Sequence, residues 1–267
     1  MKVGDQPDTG CSQPHARRQE WDGAAYDRLS DPQVRWGRAV LDRLELHGDE
    51  TVLDAGCGSG RVTEELLLRL PSGRVVALDA SASMLGEARR RLEPYHGRVR
   101  FVHADLLDLT PSALGEPRPL DAVFSTATFH WVTDHERLFA NLAGVVRPGG
   151  QLVAQCGAQG NLDQLLRTVR SLGVERAGTW LYASADETAQ RLEDAGFVDV
   201  EVWTTPAPTR FADRGRLCDF LAAVILREHV ATLAPAERRP FVERVVAAMP
   251  EPVIDYVRLN IIARRGP

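Results

Sequence analysis

Residues 52–60 read Val-Leu-Asp-Ala-Gly-Cys-Gly-Ser-Gly, an apolar run that leads directly into a turn with three glycines. Val62, Leu66 and Leu70 follow at helical spacing, so the turn joins a buried strand to an amphipathic helix. Glycines let the backbone pass close to a ligand, and the start of a helix offers unpaired N–H groups. The stretch therefore predicts a strand–turn–helix unit of an α/β sheet, with a small molecule bound over the turn.

The rest of the chain repeats this alternation of apolar and amphipathic runs. Further strands are predicted at residues 74–79, 98–103, 120–125, 150–155, 198–204 and 257–263. Helical patterns between them are typical of parallel strands joined by helices, so we expect a doubly wound, seven-stranded, mostly parallel α/β sheet of the Rossmann-like class. With 267 residues the chain is long for one domain and short for two, so a single domain over residues 21–267 is expected.

Two helical additions are predicted around this sheet. Residues 21–46 predict an N-terminal helical lid over the carboxyl edge of the strands. Residues 206–252 predict a cap inserted before the last strand, with helical patterns at 217–233 and 235–249. Residues 1–20 are polar, contain two prolines, and are expected to form a disordered tail without a signal peptide.

Composition narrows the classes of partner. The formal net charge is −5 with both signs spread along the chain, which leaves no broad basic face for nucleic acid. No stretch reaches the roughly 18 apolar residues of a spanning helix, so no membrane partner is expected. The four cysteines form no CxxC pair, which favours a reduced, cytoplasmic enzyme without a metal site. A small-molecule substrate is the expected partner, and both a monomer and a homodimer remain open.

Carboxylates follow the second and third predicted strands. Asp79 ends the second strand, where it can accept both hydroxyls of an adenosine ribose. Asp105, between Ala104 and Leu106, ends the third strand and can pair with the exocyclic amine of adenine. Met84, one turn into the second helix, can lie against the purine face. The sequence therefore predicts a cofactor that contains adenosine.

Two cofactor classes compete for this arrangement. A dinucleotide fingerprint requires a third glycine one position after Gly60, but Arg61 stands there. Asp54, inside the loop, would repel phosphates, whereas it can reach the ammonium of a methionine moiety directly or through water. The residues therefore favour S-adenosylmethionine over a nicotinamide dinucleotide.

Four segments in order carry a family resemblance. They are residues 54–60, Asp79, residues 104–106 and the Leu-Ala-Gly-Val-Val-Arg-Pro-Gly-Gly run at 142–150. Together they resemble the successive motifs of class I S-adenosylmethionine-dependent methyltransferases. Three further segments flank these motifs: Trp21-Asp22 with Tyr26, Phe129-His130-Trp131-Val132 and residues 253–259. These segments resemble the trans-aconitate methyltransferase-like small-molecule methyltransferases. The resemblance implies S-adenosylmethionine as the cofactor and S-adenosylhomocysteine as its product.

A set of candidate cofactor contacts follows from the motifs and the resemblance. They are Gln33, Asp54, Gly56, Gly58, Gly60, Asp79, Ala80, Met84, Ala104, Asp105, Leu106 and Thr126. Gln33 either binds the carboxylate of the cofactor through its amide or is an ordinary exposed polar residue.

Methyl transfer from a sulfonium is an in-line displacement, which mainly requires positioning and the exclusion of water. His130 and Trp131, just after the fourth strand, are the candidate catalytic residues. His130 is either a general base or a hydrogen-bonding contact to the substrate. Trp131 either offers its indole N–H to an acceptor oxygen or anchors the following helix. Tyr26 and Trp36 join these two as candidate substrate contacts, with simple packing as the alternative.

The leading functional hypothesis is a small-molecule methyltransferase. The reaction favoured first is O-methylation of a carboxylate or hydroxyl of a small or specialised metabolite. N- and C-methylation remain open. The alternative is a cyclase or sensor that binds S-adenosylmethionine without transferring its methyl group, and a nicotinamide dehydrogenase is disfavoured by Arg61. Arg35, Arg38 and Arg210 are the arginines considered as partners of a carboxylate substrate.

Overall fold

The computed structural model describes residues 31–175 and 178–267. Its strands are β1 Thr51–Ala55, β2 Arg74–Asp79, β3 Val99–His103, β4 Leu120–Thr126, β5 Val146–Gly157, β6 Phe197–Pro206, β7 Thr209–Arg210, β8 Val253–Ile254 and β9 Val257–Arg265. Its helices are α1 Asp31–Leu41, α2 Arg61–Leu68, α3 Ala82–Arg91, α4 Pro111–Leu114, α5 His135–Val145, α6 Asp163–Ser171, α7 Ala185–Asp194, α8 Arg214–Phe220, α9 Arg227–Thr232 and α10 Pro235–Ala248. Within this part of the chain, no helix has the length and apolarity needed to cross a membrane. The predicted tail at residues 1–20 and the first part of the predicted lid, residues 21–30, lie outside the described residues.

The main sheet holds seven strands in the order β3-β2-β1-β4-β5-β9-β6. Strands β1 to β5 are parallel to one another, and β9 runs antiparallel between β5 and β6. The doubly wound, mostly parallel, seven-stranded fold predicted from the sequence is confirmed. Because β1 to β5 are parallel, the turns that follow them meet at one edge of the sheet, and the start of the antiparallel β9 lies at the same edge.

Both faces of the sheet are buried at its central strands β1, β2 and β4, which explains why these strands are almost continuously apolar. Val52 faces one layer, where it packs in a cluster with Leu41 of α1. Leu53, the next residue, faces the other layer, where it packs in a cluster with Phe139 of α5. These four side chains are fully buried, and burial of each large apolar side chain contributes about 1.5–3 kcal/mol. The two cores fix the sheet rigidly beneath its carboxyl edge.

Side-chain caps set where the helices at this edge begin. Ser81 accepts the Met84 N–H at 3.3 Å at the start of α3, and Asp134 accepts the Arg137 N–H at 2.9 Å at the start of α5. Gly60 precedes α2 with a φ of +81° and provides no side-chain cap.

The helical insertion between β6 and β9 is more interrupted than the sequence pattern indicates. The pattern at 217–233 predicts one helix, and this is wrong, because the structure has α8, a π-helix at Leu221–Ile225 and then α9. The Leu226 N–H bonds the Leu221 carbonyl, five residues back, at 2.7 Å, so the turn holds one extra residue. The antiparallel pair of β7 and β8 joins the two ends of the insertion. Helix α6 was not among the predicted helices.

Candidate active site

A cavity of about 600 Å³ opens at the carboxyl edge of the sheet, within the roughly 300–1,000 Å³ of small-molecule sites. The turns after β1, β2, β3 and β4 form one part of its wall. The other lining residues come from α1, the first turn of α5, the residues before α6, the segment between α6 and α7, the π-helix and the start of β9. The predicted site residues that line it are Trp36, Gly56, Gly58, Asp79, Ala80, Met84, Ala104, Asp105, Leu106, Thr126, His130 and Trp131. Asp54 and Gly60 do not line it. Tyr26 and the Gln33 side chain lie outside the described residues.

The glycine turn brings bare backbone to the cavity wall. Gly56 has a φ of +88°, and a Cβ there would overlap the Thr128 side chain, so no other residue fits. The Gly56 N–H donates to the Leu78 carbonyl at 2.8 Å, which holds the turn after β1 against β2. Gly58 also has a positive φ, +54°, but a Cβ there would meet nothing within 4 Å. Gly58 therefore presents a flat surface on which a ligand can rest.

Asp79 ties this turn to the one after β2. Its Oδ2 accepts the Gly58 N–H at 2.8 Å, and its Oδ1 accepts the Ser81 N–H at 2.9 Å. A carboxylate oxygen can accept more than one hydrogen bond, so the same oxygens can also accept from ligand hydroxyls. A phosphate, by contrast, would find the Gly58 N–H already bonded to an anion. The turn fits an adenosine ribose better than a pyrophosphate, in agreement with the predicted cofactor class.

Asp105 lies in the same cavity as Asp79. Its Oδ1 accepts the Leu107 N–H at 2.9 Å, which fixes the carboxylate at the start of a short 3-10 turn. Leu106 and Met84 are both buried and both line the cavity. The two predicted acids therefore share one cleft, with apolar side chains beside them that suit a purine ring.

Two of the predicted cofactor contacts, Asp54 and Gly60, lie behind the glycine turn rather than on the cavity wall. Asp54 is 2% exposed and accepts the Thr63 hydroxyl at 2.6 Å, so it lies beneath the turn rather than on the cavity wall. Burial raises the pKa of its carboxyl to about 7. Gly60 packs against Ala88 of α3, and a Cβ at Gly60 would lie only 3.2 Å from the Ala88 Cα. Both residues shape the turn from behind.

His130 lies in a 3-10 turn, Phe129–Trp131, directly after β4. Its Nδ1 accepts the Gly157 N–H at 3.3 Å, so in the neutral ring the proton is on Nε2. Burial lowers the pKa of His130 well below its usual range, and the nearby Arg258 and His135 lower it further. A neutral imidazole whose Nδ1 lone pair is already used is a hydrogen-bond donor. The geometry therefore favours the contact alternative for His130 over the general base.

Aromatic side chains continue from His130 along the cavity. The His130 ring stacks on Tyr182 at 5.9 Å between centroids, and Tyr182 stacks on Trp180 at 5.9 Å. Trp131 meets Trp180 edge to face at 5.8 Å. We call these four side chains the aromatic wall. Trp180 and Tyr182 come from the segment between α6 and α7, which has no motif, and the sequence analysis missed them.

Gly157 makes room for this wall. A Cβ at Gly157 would lie 2.7 Å from Cε1 of Tyr182. The glycine at the end of β5 therefore allows the Tyr182 ring to approach while its N–H orients His130. Position 157 therefore needs both a residue without a side chain, for Tyr182, and a backbone N–H, for His130.

Arg258 brings a cation into the cavity. It is 3% exposed, lines the cavity, and lies opposite Gly157 in the antiparallel pairing of β5 with β9. Its guanidinium carbon is 4.5 Å from the centre of the Trp36 ring, which also packs edge-on against Tyr256 at 5.0 Å. Trp36 therefore both packs and lines the site.

A buried amide pair holds Arg258. Gln155 Nε2 donates to Asn260 Oδ1 at 2.8 Å, which directs Gln155 Oε1 to accept from Arg258 Nε at 3.4 Å. Arg43 donates to the same Asn260 oxygen at 2.8 Å, and Asn260 Nδ2 donates to Thr205 at 3.1 Å. This network fixes which way each amide points, and so it orients the guanidinium from behind.

The arginines considered from the sequence are elsewhere. Arg38 pairs with Glu65 at 2.8 Å, and Arg210 pairs with Glu251. Neither these two nor Arg35 lines the cavity, so none of the three contacts a ligand bound there. The signal for Arg258 was a charged residue inside the apolar run at 257–263, because a buried charge in a strand is costly without a specific use.

Comparison with known proteins agrees with this geometry. A family profile described as a methyltransferase domain matches residues 52–150. The chain is 31% identical to a trans-aconitate 2-methyltransferase of Methylobacterium radiotolerans over 242 residues, which cover 86% of this chain and 89% of that protein. It is 30% identical to a trans-aconitate 2-methyltransferase of Paracidovorax citrulli over 267 residues, which cover 92% and 99%.

Solved structures share the fold at lower identity. A phosphoethanolamine N-methyltransferase 2 of Haemonchus contortus, in complex with phosphomonomethylethanolamine and S-adenosylhomocysteine, superposes with a TM-score of 0.61 at 16% identity, covering 92% of this chain and 57% of that one. A geranyl diphosphate C-methyltransferase of Streptomyces coelicolor gives a TM-score of 0.54 at 19% identity, covering 94% and 86%. The N- and C-methylating enzymes show that this fold serves different acceptor atoms.

Proposed function

The chain belongs to the class I S-adenosylmethionine-dependent methyltransferases, and from that premise we propose that it methylates a carboxylate oxygen of a small organic acid. It is an enzyme that takes S-adenosylmethionine as cofactor and a small molecule as substrate. The alternative of a cyclase or sensor is set aside, because the relatives and structural neighbours are named as methyltransferases.

The cofactor-binding part of the cavity fits S-adenosylmethionine. Asp79 would hold the ribose hydroxyls, Asp105 and Leu106 the adenine, and Gly56 and Gly58 the amino-acid end. Met84, Ala80, Ala104 and Thr126 complete this part of the wall. When bound, the cofactor supplies a methyl group on a positively charged sulfur. Asp54 contributes only by supporting the turn.

The position of Arg258 is the main support for a carboxylate acceptor. A guanidinium offers several N–H donors in a plane that matches a carboxylate. Arg258 presents one from a buried strand, oriented from behind by Gln155 and covered by Trp36. An anionic acceptor is the ligand that this arrangement attracts most strongly. The trans-aconitate relatives support the same class of acceptor.

The state of His130 supports this choice. A carboxylic acid with an ordinary pKa near 4 is already ionised at neutral pH, so it needs no base. His130 is held neutral with its Nε2–H free of the Gly157 contact, so it can donate to one carboxylate oxygen. The other oxygen then keeps its lone pairs for the methyl group. A hydroxyl acceptor would need a base that His130 does not supply.

The wall around the acceptor keeps water out. Trp131, Trp180 and Tyr182 cover one side, and Tyr256 with Trp36 covers another. In a poorly hydrated cavity the carboxylate loses water that would otherwise shield it, and fixed donors replace that water. The residues of this chain therefore act by binding, orienting and excluding water.

Transfer of a labelled methyl group tests this proposal. The enzyme is incubated with S-adenosylmethionine labelled on its methyl group and a panel of small acids, each matched by the corresponding alcohol. A methyl ester is cleaved by mild alkali, so we expect label that becomes volatile as methanol after alkali, from acids only. Label that stays on the product through alkali, or transfer only to the alcohols, would refute carboxylate methylation.

A further inference from the structure

We propose, resting on the carboxylate methylation above, that the acceptor is a monocarboxylic acid bearing a flat aromatic group rather than a polycarboxylate. The trans-aconitate named in the relatives has three carboxylates and no ring. The side of the cavity beyond Arg258 and His130 is built for a different shape and charge.

The aromatic wall provides the first observation. Its rings follow one another from His130 through Tyr182 to Trp180, with an angle of 30° between the first two ring planes and 11° between the next two. Trp131 closes the row edge-on against Trp180 at an angle of 63°. Rings stacked on one another turn their edges to a ligand that lies along the row, and contact of ring edges with the face of a ligand ring is a favourable aromatic arrangement. The row starts at the side chain that contacts the carboxylate, so a ring attached to that carboxylate would lie along it.

The residue before α6 provides a second observation. Leu162 lines the cavity, is 2% exposed, and has a φ of +64°, which is unusual for a residue other than glycine. Its N–H donates to the Asp255 carbonyl at 3.1 Å, and the Asp255 side chain accepts the Gln164 N–H at 2.7 Å. The surroundings therefore hold a strained backbone that places an apolar side chain against the ligand.

The π-helix provides the third observation. Two consecutive side chains of this turn, Val224 and Ile225, both line the cavity. Such turns are frequent at functional sites. With Leu162 they form an apolar surface that the helical insertion contributes to the cavity.

These surfaces disfavour further carboxylates. Among the residues that the structure describes, the arginines lining the cavity are Arg258 and Arg137. Arg137 is half exposed and pairs with Asp108 at 3.3 Å. The second and third carboxylates of a tricarboxylate would therefore lie against apolar, aromatic and neutral polar side chains, the last including Asn161 and Thr179. Burying a charge without a cationic partner is costly. An aryl group would gain from the same surfaces.

Two probe acids test this inference, trans-cinnamate and trans-aconitate. Binding is measured by calorimetry with the enzyme saturated with S-adenosylhomocysteine, and kcat/KM is measured with S-adenosylmethionine. We expect trans-cinnamate to be preferred by about tenfold or more in both measurements, because the unpaired carboxylates of trans-aconitate must be desolvated. A preference for trans-aconitate would overturn the inference while leaving carboxylate methylation intact. If neither acid binds, the inference fails.

A tryptophan pair gives the matched control. Trp180→Ala removes part of the aromatic wall, whereas Trp203→Ala removes a tryptophan on β6 that packs under Arg43 and does not line the cavity. We expect Trp180→Ala to weaken trans-cinnamate binding by about tenfold and to lower the ratio of kcat/KM for trans-cinnamate to kcat/KM for acetate by a similar factor. Trp203→Ala should change neither. Equal effects of the two variants on trans-cinnamate would contradict a ring-binding function of the wall.

The outcomes also separate this inference from the proposed function. If the label from every acid is stable to alkali, carboxylate methylation is wrong, whichever acid binds more tightly. If the label is labile but trans-aconitate is preferred, only the shape of the acceptor is wrong.

Discussion

Replacing His130 by glutamine or by asparagine separates the two nitrogens of its ring. The amide nitrogen of glutamine lies near the position of Nε2, whereas the amide oxygen of asparagine lies near that of Nδ1, which accepts the Gly157 N–H at 3.3 Å. Glutamine therefore keeps the proposed donor to the substrate, and asparagine keeps only the contact with Gly157. The two variants differ in the single hydrogen bond that matters for the proposed mechanism.

The size of the effect follows from that hydrogen bond. A hydrogen bond to a charged group contributes about 1.5–3 kcal/mol, which corresponds to a factor of about 10–150 in rate. We expect His130→Asn to lose kcat/KM by that factor, and His130→Gln to remain within about tenfold of wild type. Steady-state kinetics with an acid that the enzyme methylates checks both values. Thermal unfolding of each variant controls for loss of the fold.

The pH dependence gives the refuting result. Because burial and Arg258 hold the pKa of His130 in the free enzyme well below its usual range, wild-type kcat/KM should show no titration of this residue between about pH 6 and pH 9. A rate that rises with pH near 6.5 in wild type and is flat in both variants would identify His130 as a base. That result would contradict the reasoning from the Gly157 hydrogen bond.

Other predictions concern the cofactor turn and the stability of the fold. Asp79→Asn removes the charge beside the proposed ribose site and should weaken S-adenosylmethionine binding by about 1.5–3 kcal/mol in calorimetry; unchanged affinity would contradict its assigned contact. Gly56→Ala places a Cβ on Thr128 at a φ of +88° and should lower the free energy of unfolding by about 2 kcal/mol or more, whereas Gly86→Ala, with nothing within 4 Å, should raise it by about 0.5–1 kcal/mol. The pKa of the buried Asp54 is about 7 in the folded chain, against an ordinary value of 3.8. Between these pH values the folded chain keeps a proton that the unfolded chain releases, so the free energy of unfolding falls as the pH rises. Asp54→Asn should remove this fall, which is about 4 kcal/mol at most. The measurement is urea unfolding at several pH values without cofactor, and an unchanged dependence of the free energy of unfolding on pH would contradict the prediction.

Local sequence patterns predicted most of the fold. The strands of a sheet that is buried on both faces are short, continuous apolar runs, so each of the seven overlaps its predicted position. The glycine turn and Asp79 were also found from the sequence, because a sharp turn and a strand end depend on neighbouring residues. The π-helix was missed, since one extra residue in a turn barely changes the apolar spacing that predicts a helix.

The acceptor part of the site could not be predicted in the same way. Arg258 is brought to His130 by the pairing of β9 with β5, over 128 positions of the chain, and no local pattern encodes that pairing. Trp180 and Tyr182 lie in a segment without secondary structure. Asp54 was misplaced because its position in the loop predicts that it is near the ligand, but not on which side of the backbone it lies. Contacts that depend on tertiary pairing require the structure.

Arg258 and the acid it is proposed to bind allow the most direct test of the account. Dissociation constants of trans-cinnamate and of its uncharged carboxamide are measured with S-adenosylhomocysteine present, for wild type, Arg258→Lys and Arg258→Gln, with unfolding temperatures as controls. Wild type should prefer the acid by about tenfold or more, Arg258→Lys should keep part of that preference, and Arg258→Gln should lose it. A folded Arg258→Gln variant that still prefers the acid as strongly as wild type would show that the acceptor carboxylate is recognised elsewhere.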